Sequence, residues 1–219
     1  SAARRYGSVG ITDSYMHDDA TRILLATIAR VAAMHDKSIH PILSLFDGHH
    51  VRVTVLLKRS KEEASNWSQN IGYRIRSNPY HFSPQSEGVF SGPMWTGPIF
   101  DAEIAGRITV ARAMQLCAGK PEDLPEEWTD IDIEHSQREI ERSVRHISES
   151  AELLSQDHLL VAVDDLGVAA GVGQIPSMKK MKIGLENAGF RMARCHMPEA
   201  MFATNADWQT VLDITRSTE

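Results

Sequence analysis

The sequence predicts an α+β chain in three parts: an α/β sandwich over 1–98, a helical linker over 99–158 and a helix-and-wing region over 159–219. Three observations carry this. Val51, Val53 and Val55 alternate with Arg52 and Thr54, and Tyr73 and Ile75 alternate with Arg74 and Arg76. That is the period of two expected of half-buried strands. Two Gly-Pro steps, Gly92-Pro93 and Gly97-Pro98, interrupt any helix between 92 and 101, because proline lacks an N–H and clashes with the preceding turn. Beyond them, apolar residues recur mainly at helical spacing.

Taken in order, residues 1–12 carry Arg4, Arg5 and Tyr6, which suit either a phosphate contact or a solvated leader. A helix is expected over 18–35, with Ala20, Ile23, Leu24, Thr27, Ile28 and Val31 as its buried stripe. Asp18 and Asp19 lie at its positive end and Lys37 follows its negative end. Strands are expected over 39–46 and 49–57, joined at Asp47-Gly48, a hairpin signal. Pro41 sets the first at an edge or delays its start. Ser60 is placed to cap a short helix over 61–66. A third strand follows over 71–76 and a weaker one over 89–94. This order points to an open sandwich of the ferredoxin or RNA-recognition kind.

The run 92–101 is read as a bent connector, with Trp95 either in the core or on a surface that positions a large substrate. Asp101 caps a helix over 101–116, ended by Gly119, and 121–130 is an acidic linker. A long helix over 132–154 carries a narrow seam of Ile133, Ile140, Val144, Ile147, Ala151 and Leu154. The tail then reads as a winged helix. A helix over 159–170 precedes the turn Gly171-Val172-Gly173. A second helix has Pro176 in its first turn and Gly189 at C′. Segments 190–195 and 201–204 form the wing, and a last helix covers 206–214. The second helix and wing carry Lys179, Lys180, Lys182, Arg191, Arg194 and His196 against Glu186. That charge suits a nucleic-acid backbone or a solvated face used for protein contact.

The 219 residues carry a net charge of −6. Residues 120–165 hold the excess, with 14 Asp and Glu against 4 Lys and Arg. Basic faces are therefore expected on either side of that block. Cys117 and Cys195 form no C-x-x-C unit, which fits a reducing, cytoplasmic setting. No apolar run approaches the ~20 residues of a bilayer span, so no membrane partner is expected. The chain opens Ser-Ala-Ala-Arg-Arg without Met, as a segment of something longer would.

Catalytic signatures are scarce. The Gly-rich stretch 167–173 follows a helical pattern, not a strand, so it reads as turn chemistry instead of a cofactor loop. Asn78-Pro79-Tyr80 approaches the Asp/Asn-Pro-Pro-aromatic turn of amino-group methyltransferases but lacks the second Pro. The ten His form no metal set with acidic or Cys partners, and no catalytic residue is assigned.

The run Gly92-Pro93-Met94-Trp95-Thr96-Gly97-Pro98-Ile99-Phe100-Asp101 resembles the C-terminal half of the tRNA (guanine-N2)-dimethyltransferases, which methylate guanosine 26 of tRNA with S-adenosylmethionine. Tyr6-Gly7 with Arg22 downstream, His50-x-Arg52-Val53, Gly189-Phe190-Arg191-x-x-Arg194-x-His196 and Thr204-x-Ala206-x-Trp208 resemble further motifs of that family in the same order. Ala203 stands where the family commonly has Lys, and Ile11-Thr12-Asp13-Ser14-Tyr15 departs from its Arg-Thr-Glu-Tyr-like run. The resemblance implies a tRNA-binding region whose S-adenosylmethionine site and catalytic turn belong to an upstream domain of the same protein, with no cofactor in this chain. It implies Arg22, Arg52, Trp95, Arg191, Arg194, His196 and Thr204 as RNA contacts, beside Lys179, Lys180 and Lys182 from the charge pattern. Arg22 and Arg52 fit structural ion pairs equally well. A protein-interaction module built on the 132–154 helix is the rival from another class.

Overall fold

The computed structural model describes residues 2–46, 50–117, 124–156 and 158–217. α1 (Ala2–Tyr6) leads to Val9, whose N–H and C=O both bond to Gly92 at 2.7 Å. α2 (Met16–Ala33) is the long helix expected there, but its buried face is rotated. Leu25, Ala29 and Ala32 are buried together with Asp18 and Arg22, whereas Val31 is 46 % exposed. An apolar count places charged residues outside, and here the two charges neutralise each other and go in.

β1 (Lys37–Phe46) and β2 (Val51–Arg59) form an antiparallel ribbon running from Lys37↔Arg59 to Phe46↔Val51. A register shift between Pro41 and Leu43 accommodates the proline. The Asp47-Gly48 turn and His49 lie outside the described residues. Ser60 caps α3 (Lys61–Ser65), its Oγ accepting from the Glu63 N–H. β3 (Ile71–Ile75) is the centre of a second antiparallel sheet, between β4 (His81–Ser83) and β5 (Phe90–Trp95). The ferredoxin-like expectation is therefore corrected. The strands divide between two sheets, and α2 packs against β5 as well as against β1 and β2.

The connector is also shorter than expected, because Gly92 to Trp95 belong to β5. The register runs Gly72↔Met94 and then Arg74↔Ser91, so Gly92 and Pro93 bulge opposite Tyr73. Gly92 has φ +132°, and a Cβ there would lie 2.9 Å from the Gly72 carbonyl oxygen. Only glycine meets both demands.

Asp101 caps α4 (Ala102–Ala105) by accepting from the Ile104 N–H. The single helix expected over 101–116 is broken at Gly106. Thr109 Oγ1 accepts from the Arg112 N–H and starts α5 (Val110–Cys117). Gly119, read as that helix's end, lies outside the described residues. α6 (Asp130–Leu154) opens on a capping box between Thr129 and Asp132. Val144, Ile147, Ala151 and Leu154 bury its C-terminal half, while Ile133 and Ile140 are half-exposed.

The tail contains β6 (Leu159–Ala162), α7 (Val163–Ala170), α8 (Met178–Asn187), β7 (Met192–Arg194), β8 (Met201–Thr204) and α9 (Trp208–Ser217). Its antiparallel sheet has the order β6-β8-β7. Residues 159–162 are strand, not helix: they pair with β8 from Leu159↔Thr204 to Ala162↔Met201. A short apolar run is ambiguous until its partner is known. Ser177 caps α8, and Pro176 stands one residue before the cap. Gly189, at φ +87°, ends α8 at C′; its N–H bonds to Glu186 O and that of Phe190 to Leu185 O. One hydrophobic cluster joins Leu25, Trp95 and Phe100 to Ile147, Leu154, Leu160 and Met201. A second lies within the tail, around Leu166, Met181, Leu185 and Phe202. No helix among the described residues is long and apolar enough to cross a membrane.

Candidate nucleic-acid interface

The molecule gathers arginines in two places with opposite surroundings. The first is buried. Arg74 of β3 is 1 % exposed. Its Nε donates to Asp19 Oδ1 at 2.6 Å, and its Nη2 to Asp19 Oδ2 at 2.7 Å and to Asp13 at 3.0 Å. Burial opposes the Arg74 charge, but hydrogen bonds and charges from Asp19 and Asp13 outweigh it and raise the pKa. Arg22 of α2 donates from Nε to Asp18 at 2.8 Å and from Nη1 to the carbonyls of Trp95 and Gly97. Asp18 Oδ1 is buried without a hydrogen-bond partner. This cluster ties α2 to β3 and to the connector.

The second is a groove of about 510 Å³ between α6, α8 and β7. α6 contributes Arg138, Arg142 and Arg145, α8 contributes Lys179 and Lys182, and β7 contributes Arg194. Against these six cations the lining holds two carboxylates, Glu141 and Glu149. The three arginines stand at i, i+4 and i+7, so they share one helix face. Each has a surface carboxylate within reach: Arg138 pairs with Glu134 at 2.9 Å, Arg142 with Glu139 and Arg145 with Glu141. Their side chains stay 76, 60 and 63 % exposed. Such pairs hold little energy and exchange readily for a phosphate. His146 lines the groove with its pKa lowered by burial first and then by Arg194, His196 and Arg142. His196 is lowered by burial and by Arg142, against a hydrogen bond with the Phe46 backbone.

The residues expected to contact RNA separate on these lines. Lys179, Lys182 and Arg194 meet in the groove. Lys180 is exposed on the same helix. Arg191 is bound to Glu152 at 2.6 Å beside it, and His196 is half-buried. Arg52 is exposed on β2, outside the groove lining. Arg22, Trp95 and Thr204 face inward. Arg22 takes the structural-pair alternative. Trp95 is 6 % exposed and donates to Pro98 O at 2.8 Å. Thr204 is fully buried, donating to Arg191 O and accepting from the Ala206 N–H. The sequence reading missed Arg138, Arg142 and Arg145 because they lie in the block with the acidic excess. The available signal was their common helical face, which a net charge averages away.

Among the described residues no group of His, Cys, Asp and Glu could hold a metal ion. The Asn78-Pro79-Tyr80 turn does not gather an amine acceptor and a stacking ring at one site. Asn78 lines a cavity with Asp13 and Arg76, whereas Tyr80 lines another with Phe82 and Trp208.

The chain is similar to curated proteins named tRNA (guanine(26)-N(2))-dimethyltransferase. That of Pyrobaculum aerophilum is 37 % identical over 108 residues, covering 48 % of this chain and 30 % of the relative. That of Methanosphaera stadtmanae is 29 % identical over 137 residues, covering 55 % and 35 %. The chain thus spans about a third of the length of these relatives. Its fold is similar to that of Trm1 from Pyrococcus horikoshii, solved in complex with S-adenosyl-L-methionine, at a TM-score of 0.74 and 21 % identity. The match covers 97 % of this chain and 53 % of that one. The family profile described as N2,N2-dimethylguanosine tRNA methyltransferase matches residues 1–216, and the chain belongs to that family.

Proposed function

We propose that this chain holds folded tRNA for methylation of guanosine 26 by the protein to which it belongs. The observation that carries this is the groove, with six Lys and Arg facing two Glu across three elements. Folded RNA is gripped largely through phosphates and 2′-hydroxyls, and guanidinium groups on a rigid helix suit that contact. Family membership supplies the substrate class, and the tail's order of strand, two helices, two paired strands and a last helix supports a winged-helix-like reader.

S-adenosylmethionine, in this proposal, is held by an upstream catalytic domain of the same protein. Every strand pair among the described residues is antiparallel, unlike the parallel sheet with a Gly-rich turn that cradles nucleotide cofactors. The divided Asn78-Pro79-Tyr80 turn points the same way. Residues 1–98 extend that domain. β1–β2 is a long two-stranded ribbon, and Leu56, Leu57 and Met34 are 58, 50 and 73 % exposed, an apolar surface suited to further packing. Cys117 and Cys195 are unpaired, which fits a cytoplasmic protein.

Fluorescence anisotropy with folded tRNA at several salt concentrations, beside duplex DNA, tests the proposal. Salt-sensitive binding that prefers tRNA is expected. A protein-interaction module built on α6 predicts instead concentration-dependent dimerisation without RNA affinity. Titration of this chain with S-adenosylmethionine should give no binding heat; saturable heat would move the cofactor site into it.

A further inference from the structure

Four stretches that the sequence singles out for separate reasons meet at one cavity of about 710 Å³. They are Arg22, the Pro79-Tyr80 turn, the Gly97-Pro98 step and the Thr204-x-Ala206-x-Trp208 motif. The cavity lies between β4 and the connector on one side and β6 and the turn into α9 on the other. Its volume falls in the range of small-ligand sites.

We propose that this cavity takes an unstacked nucleobase of the bound RNA; the proposal rests on the tRNA reading above. The walls have the required chemistry. Tyr80, Phe82 and Trp208 supply aromatic rings, and Thr96, Asn205 and His158 supply hydrogen-bonding groups. The Tyr80 and Phe82 rings meet edge to face at 5.6 Å, and the Arg22 guanidinium lies 4.8 Å from the Phe82 centroid. These contacts fix a preformed wall. Little free charge remains. Arg22 is bonded to Asp18, and Asp207 accepts from the N–H and hydroxyl of Thr210 at the start of α9. Burial raises the Tyr80 hydroxyl pKa further above neutrality, so the ring brings no charge to the wall at pH 7. An aromatic site with little net charge suits a base, whereas the cationic groove suits phosphates. The molecule therefore separates grip from base contact.

Two measurements on the protein with a folded tRNA transcript test this. In the first, the transcript carries 4-thiouridine at unpaired positions, and ultraviolet crosslinks are mapped by mass spectrometry. Crosslinks to peptides containing Tyr80, Phe82 or Trp208 are expected. In the second, Trp208→Leu and His158→Ala are compared with the wild type. Trp208→Leu should lower tRNA affinity about fivefold or more, leave the salt slope unchanged, and leave affinity for a fully paired RNA duplex unchanged. His158→Ala should act in the same direction and serves if Trp208→Leu does not fold. Crosslinks confined to α6 and α8, with both variants binding like the wild type, would overturn the cavity and leave the tRNA reading standing. A wild-type protein that binds no tRNA at any salt would overturn both. Saturable S-adenosylmethionine binding lost in Trp208→Leu would assign the cavity to the methyl donor and overturn the proposal.

Discussion

The Arg74 cluster and the α6 groove use the same pair of groups, guanidinium and carboxylate, for opposite ends. At Arg74 the carboxylate partners Asp19 and Asp13 are 2 % and 12 % exposed, and the hydrogen bonds come from a different element than the carboxylates. At Arg142 the partner is a neighbour on the same helix, three residues away, and both side chains stand in water. Burial makes the first pair costly to break and unavailable to a ligand. Exposure makes the second cheap to exchange. Residue type alone does not separate an arginine locked in the interior from one left open to a ligand.

The sharpest way to break this comparison is to remove the buried arginine. Arg74→Met leaves Asp19 and Asp13 without their cation and should cost about 3–5 kcal/mol of stability by urea unfolding. A loss within experimental error would mean that the cluster is not structural. The next effect is on binding. Arg142→Glu with Lys179→Glu should weaken binding at least about tenfold for all tRNAs alike, with the fold unchanged by circular dichroism. Discrimination among tRNAs in that variant would move sequence readout into the groove.

The same contrast explains what was legible in the sequence. Local signals came through: Ser60 and Asp101 as caps, Gly189 at C′, and β1, β2, β7 and β8 near their expected positions. Long-range pairing did not. Leu159 to Ala162 became strand by pairing with β8, whose residues Met201 to Thr204 come far later in the chain, and β3 joined β5 across a bulge instead of joining the ribbon. The candidate groove was half legible. Lys179, Lys182 and Arg194 lie on the basic stretch picked out by composition, but the facing arginines of α6 were hidden by the acids around them. Arg22, Trp95 and Thr204 carried family motifs yet are buried away from the groove, Arg22 and Thr204 in the wall of the cavity beside β6, because a motif marks a position without saying which way it faces.

Smaller effects sharpen the picture. His146 and His196 both have lowered folded pKa values, so folding favours their neutral rings. Their stability contribution is fully present above about pH 6.5 and falls as pH drops through the lowered values. Phosphates favour the imidazolium, so tRNA affinity should rise a few-fold from pH 7 to about 5.5. His146→Gln with His196→Gln should flatten that rise in anisotropy titrations. The smallest effect is expected of Arg145→Gln on folding: under about 0.5 kcal/mol by urea unfolding, because its Glu141 pair is exposed. A larger loss would blur the line between the two clusters.

The most direct test of the account is the salt dependence of tRNA binding by the wild-type protein and by Lys179→Ala with Arg194→Ala. If the groove grips the RNA backbone, the logarithm of affinity falls linearly with the logarithm of salt concentration, and the double variant lowers that slope by about two. Equal affinity and equal slope in the two proteins would contradict the account and take the groove out of the interface.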